Sequence, residues 1–183
     1  MRRLLSAFSL VLPSAAFAQD YLSPERFAAL TVGNALCYSL QADGSCGWVE
    51  LYDGDPGPQI TLHLATILPS GDIAVIAQEA TWVGDAMCIR DGDFGIFGLD
   101  FAAPPYFRFD LQGLVPQPPE AVQAIIDELA PSIAPKTCFR FAPDPARPGG
   151  YVQHIFADGT RRDGEDAITL APLSQGSVLL AGP

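Results

Sequence analysis

The stretch ALCYSLQADGSCGWVEL, residues 35–51, decides the fold class. Leu36, Tyr38 and Leu40 alternate with Cys37, Ser39 and Gln41, and after Ala42-Asp43-Gly44-Ser45 the residues Gly47, Val49 and Leu51 alternate with Cys46, Trp48 and Glu50. A period of two puts successive side chains on opposite faces of a strand, so the stretch reads as a hairpin with one apolar face, turning at Asp43-Gly44. The pattern continues outward. Residues 59–66 alternate with Ile60, Leu62 and Leu64 on one side, and Pro69-Ser70-Gly71-Asp72 then turns the chain. Residues 73–78, 80–83 and 86–90 read as short strands, with turns at Gly84-Asp85 and Asp91-Gly92-Asp93. Residues 94–101 and 106–111 are extended and rich in aromatics. Residues 137–141, 151–157, 160–162, 167–171 and 178–181 complete the set, with Asp158-Gly159 as a hairpin turn.

Helical spacing is confined to two segments. Ser23-Pro24-Glu25 is a helix start, since serine caps, proline suits the first turn and glutamate complements the positive end of the dipole. Phe27 and Leu30 give this helix its apolar face over residues 24–31, and Gly33 stops it. Val122, Ile125, Ile126 and Leu129 predict an inserted amphipathic helix over about residues 120–130, ended by Pro131 and Pro135. Strands at short, regular spacing, without β-helix-β alternation, predict a mainly β fold. The expected architecture is an antiparallel meander closing as a barrel-like or sandwich-like domain over residues 19–183, with a short N-terminal helix and the one inserted helix.

The first eighteen residues read as an export signal. Arg2 and Arg3 form a basic head, residues 4–12 an apolar run, and Ala16-Phe17-Ala18 a small-residue cleavage site. The run is too short to span a bilayer of ~30 Å, and no later segment is long and apolar enough. The expectation is a periplasmic or secreted protein cut between Ala18 and Gln19. Without Arg2 and Arg3, eight basic residues face 21 acidic ones, a net charge of −13. Such a chain repels nucleic acid and anionic lipid, and its one basic pair, Arg161-Arg162, is bracketed by Asp158, Asp163, Glu165 and Asp166. The charge serves solubility, or docks a basic protein partner.

Four cysteines in an exported chain read as two disulfides, and their spacing fits no zinc template. Of three possible connectivities, Cys37–Cys46 with Cys88–Cys138 is preferred. A two-residue turn at Asp43-Gly44 would set Cys46 opposite Gln41 and Cys37 opposite Glu50, too far apart to bond. That pairing therefore requires a wider loop over residues 41–47.

Motifs for chemistry are sparse. The DGDxG pattern at residues 53–57 and 91–95 has alternating aspartates suited to calcium but lacks a late bidentate glutamate, and Asp-Gly is ordinary turn chemistry. There is no G-x-S-x-G elbow, phosphate loop or dinucleotide fingerprint. No catalytic residue, metal or cofactor is assigned. By alternation, His63 lies opposite Leu62 and Leu64 and points outward. His154 shares parity with Val152 and Phe156 and is expected to point inward. Phe94, Phe97, Phe101, Tyr106, Phe107 and Phe109 form a dense aromatic set that packs a core, lines a pocket or makes an interaction strip.

Gly33-Asn34-Ala35-Leu36-Cys37-Tyr38, Met87-Cys88-Ile89 and Thr137-Cys138-Phe139-Arg140-Phe141, followed by Asp158-Gly159, resemble small exported β-proteins of alphaproteobacteria that lack an assigned activity. The resemblance covers about half of the chain and leaves residues 94–135 without a counterpart. It implies a periplasmic β-meander and carries over no functional residue.

The leading functional expectation is a non-catalytic binding or protein-interaction module, with Phe94, Phe97, Phe107, Phe109 and His154 as its ligand or interaction surface. One alternative is a lipocalin-like carrier of a small apolar ligand, its cavity lined by side chains such as Phe107, Phe109 and His154. Another is a hydrolase using scattered carboxylates and His154.

Overall fold

A computed structural model describes residues 20–53, 57–68, 71, 73–100, 106–112, 114–115, 118–121, 123–124 and 136–182, with the backbone alone described for residues 90–100. The export signal of residues 1–18 lies outside the described residues. One helix, α1 (Pro24–Thr31), precedes eleven strands: β1 (Asn34–Tyr38), β2 (Trp48–Tyr52), β3 (Gln59–Ile67), β4 (Ile73–Val83), β5 (Ala86–Asp100), β6 (Tyr106–Arg108), β7 (Lys136–Pro143), β8 (Tyr151–Ala157), β9 (Thr160–Arg161), β10 (Asp166–Pro172) and β11 (Ser177–Leu179). Residues 119–121 and 123–124 are helical, within the expected insertion; residues 125–130 lie outside the described residues.

Eight strands close into an antiparallel barrel in the order β1-β2-β3-β4-β5-β7-β8-β10, with β10 returning to β1. Closure removes the sheet edges that a long meander would otherwise leave unpaired. β9 hangs on β8 through the hairpin at Asp158-Gly159, both of positive φ, as a tight turn there requires. β6 and β11 pair with each other as a separate ribbon. The ribbon is anchored to the β1–β2 loop, where Cys46 N–H donates to Leu179 O at 2.9 Å and Ala181 N–H to Cys46 O at 2.8 Å.

Two layers of core follow from this arrangement. Inside the barrel, Leu36, Tyr38, Tyr52, Leu62, Met87, Ile89, Phe141 and Ile168 form one apolar cluster with the α1 side chain Phe27. Outside it, Cys37, Val49, Leu51, Ala65, Val75 and Ala171 are covered by Phe107, Leu180 and their neighbours in the ribbon. Strands β1 and β2 therefore bury both faces, where the sequence pattern predicts a single apolar face. Val49 and Leu51 face the ribbon, and Trp48, Glu50 and Tyr52 face the barrel interior.

α1 forms as its local chemistry dictates. Arg26 N–H donates to the Ser23 side chain at 3.3 Å, Pro24 opens the helix, and Gly33 takes φ +83° just beyond its end. Phe27, fully buried, inserts among Tyr52, Trp82 and Phe141 and plugs the end of the barrel where β2 finishes and β3 starts.

One turn expectation fails. Asp91-Gly92-Asp93 does not reverse the chain. β5 runs through it, and the four residues 90–93 bulge opposite Glu79 between the pairs Gln78↔Phe94 and Ala80↔Ile89. The wider loop that the Cys37–Cys46 pairing requires is present, over residues 39–47. Asp43 accepts from Ser45 N–H at 3.0 Å and from its hydroxyl at 2.6 Å, an Asx-type turn, and Cys37 pairs with Val49 rather than Glu50. The wider loop brings Cys37 and Cys46 to a Cα separation of 5.4 Å, and they are bonded. Cys88 and Cys138 face each other directly across β5 and β7 and form the second disulfide.

Candidate functional site

The barrel interior is not filled. Beyond the layer plugged by α1, a cavity of about 270 Å³ remains toward the end where β2 and β10 begin and β3 finishes. Its walls are mostly apolar: Trp48, Leu62, Leu64, Ile76, Ile89, Phe139 and Ile155. They point inward because each holds the inward parity of its strand. Seven polar residues break the surface: Glu50, Thr66, Gln78, Thr137 and Gln153, with Asp166 from the start of β10 and Arg162 from the segment connecting β9 and β10. Such a lining suits a ligand with an apolar body and one or two polar groups.

Glu50 is the most unusual of these, a carboxyl only 6% exposed. Tyr38 donates to its Oε2 at 2.6 Å, and Tyr52 donates to the same oxygen. Gln153, from β8, donates to the Tyr38 hydroxyl at 3.1 Å and so extends the network across the interior. Burial pushes the Glu50 carboxyl above its ordinary range; the tyrosine hydrogen bonds work against this, and Asp166 adds to it. Burial also raises Asp166. Both phenols are pushed far up, first by burial and then by Glu50, and so stay protonated donors. Tyr38 stacks on Trp48 with ring centres 4.8 Å apart, fixing the network against the cavity wall.

The residues singled out from sequence lie elsewhere. Phe107, 1% exposed, belongs to the ribbon and meets Phe109 edge-on at 6.2 Å; both pack on the outer wall and neither lines the cavity. Phe94, on β5, pairs with Gln78 of β4, and Phe97 lies on the same strand as Phe94; the side chains of both phenylalanines are outside the described residues. His154 has the parity expected, with Val152 and Phe156, but that face is the outer one, since Gln153 and Ile155 point in. It is nonetheless fully buried, beneath Tyr21, whose ring meets it edge-on at 5.6 Å, and beside Glu165, 3.4 Å from Nδ1. Burial, and then Arg161, lower its pKa; Glu165 acts in the opposite sense. His63 points outward as expected and meets Asp53 at 3.2 Å. A wide, open depression of about 690 Å³ over the β1–β2 loop and residues 179–182 touches the barrel cavity at Thr66.

The inward acid is visible in the sequence only as Trp48-x-Glu50-x-Tyr52, a carboxyl in register with two aromatics on a half-apolar strand. No protein-family model, curated protein or solved structure matches the chain.

Proposed function

We propose that this chain is an exported, non-catalytic binding protein that carries a small ligand in the barrel cavity. The observation that carries the reading is the unfilled interior: a barrel closed by α1 at one end and hollow toward the other, with apolar walls and a few buried polar groups. At about 270 Å³ the volume lies just below the usual ~300–1,000 Å³ of small-molecule sites, which fits a single substituted ring or short chain better than a lipid. His154 lies on the outer side of the barrel wall and the cavity carboxyls on the inner side, which favours binding over a hydrolase built on that histidine. Export is read from Arg2-Arg3, the apolar run of residues 4–12 and Ala16-Phe17-Ala18. Two disulfides support it, because they persist in oxidising compartments.

Native mass spectrometry of protein taken from a bacterial periplasm without refolding tests both parts. The expected result is a chain beginning at Gln19 that holds a small mass natively and releases it on denaturation. Leu64→Trp, which fills the cavity, is expected to lose that mass while keeping the far-ultraviolet spectrum of the barrel. An adduct unchanged in the Leu64→Trp protein would refute the cavity as its site.

A further inference from the structure

The polar groups of the cavity are unbalanced in charge. Glu50 and Asp166 are both acids, and among the described lining residues the single cation is Arg162, which is solvent-exposed at the rim. Inside a low-dielectric barrel a pair of carboxyls without an internal cation is costly, whereas a solvated arginine at the mouth is screened. The hydrogen bonds of Glu50 are also one-sided. Tyr38 and Tyr52 converge on Oε2, and among the described residues no donor reaches Oε1. The Asp166 carboxyl likewise accepts no hydrogen bond among the described residues, and burial alone raises it. A carboxylate has roughly four acceptor sites, so this pair has capacity that the protein does not use.

We propose that the cavity selects a small organic ammonium ion, a protonated amine on an aromatic or aliphatic body, with the amine held by Glu50 and Asp166. The proposal rests on the reading of the cavity as a ligand site. An ammonium group supplies three donors and a positive charge, which are what the Glu50 Oε1 and Asp166 positions lack. The body of the ligand lies against Leu64, Ile76, Ile89 and Ile155. A neutral hydroxyl would supply a donor without the charge. A carboxylate would meet two acids and find only Arg162 at the rim.

Calorimetric titration of the exported chain with phenethylamine, phenethyl alcohol and phenylacetate separates these cases, because the three share one ring and differ in head group. Phenethylamine is expected to bind about tenfold more tightly than the alcohol, about 1.4 kcal/mol, and phenylacetate more weakly than either. Glu50→Gln and Asp166→Asn are each expected to erase most of the preference for the amine over the alcohol. Asp166 stands at the start of β10 and is partly exposed, so its variant keeps the test valid if the Glu50 variant folds poorly. Binding of the alcohol or phenylacetate as tight as that of the amine would overturn the charge selection and leave the cavity as a ligand site. Absence of binding by all three would overturn both readings.

Discussion

Glu50 sets two opposing demands on one side chain. Its carboxyl accepts two tyrosine hydroxyls, which favours the charged form, yet burial dominates and raises its pKa. The folded value lies above the unfolded one of ~4.3, so the stability linked to Glu50 is fully present below the unfolded value and is lost as pH rises through the folded value. Glu50→Gln removes the titration and keeps an acceptor of the same shape. In urea unfolding, the stability of the glutamine variant relative to the parent is expected to improve as pH rises above about 4; parallel curves would refute a raised Glu50. Glu50→Ala instead strands the Tyr38 and Tyr52 hydroxyls, at on the order of 1–3 kcal/mol for each left without water. His154 carries the opposite sign. Burial lowers its pKa, so its contribution is present above the unfolded value of ~6.5 and is lost as pH falls through the folded one. Replacing it with glutamine is expected to flatten the fall in stability as pH drops below about 6.5, read by the same denaturation series.

Among the elements, α1 shows what local chemistry can specify and what it cannot. Its bounds were legible because cap, first-turn proline and terminal glycine are local signals, and the structure places them at Ser23, Pro24 and Gly33. What Phe27 packs against was not legible, since Tyr52, Trp82 and Phe141 come from three distant strands. Phe27→Ala is expected to destabilise the barrel by about 3–5 kcal/mol, the usual range for a fully buried phenylalanine, while Ser23→Ala should lose about 0.5–1 kcal/mol. A Phe27→Ala loss below about 1 kcal/mol in chemical denaturation would mean that the helix does not plug the barrel. Strands β7, β8 and β10 were similarly legible from period and turn residues. β5 was not, because Asp-Gly chemistry serves a bulge as well as a reversal, and only the continued pairing with β4 on both sides of Glu79 decides between them. The candidate site was the least legible part. A period of two gives parity but not direction. On β2 the apolar Val49 and Leu51 suggest the core face, yet they meet the ribbon, and the mixed face of Trp48, Glu50 and Tyr52 meets the cavity. The same ambiguity put His154 on the right face of its strand and the wrong side of the barrel.

For the whole molecule, the question is where a closed barrel opens first. The ladder between β3 and β4 runs over nine residue pairs, whereas the seams at β5–β7 and β8–β10 hold four and three; β1–β2 also holds three, but its connection is closed by the Cys37–Cys46 disulfide. The Cys88–Cys138 disulfide sits within the first of these short seams, and the second has no covalent link. Gln153 of β8 reaches Tyr38 of β1 across β10 through the interior, so the polar network and the weaker seam are adjacent. On the chain-entropy account, the 50-residue separation of Cys88 and Cys138 contributes about 4 kcal/mol, against about 3 kcal/mol for the nine-residue separation of Cys37 and Cys46. The long-range bond thus stabilises more, and it does so where the ladder is short. Local opening follows the lowest density of pairing, so amide hydrogen exchange under native conditions should find the β8–β10 amides least protected among the barrel strands and those of β3 and β4 most protected. The paired replacement Cys88→Ser with Cys138→Ser is expected to bring the β5–β7 amides down to the level of β8–β10 and to leave the order of the remaining strands unchanged. Uniform loss of protection around the barrel would show instead that it opens as a single unit, with the disulfide acting on the unfolded chain alone.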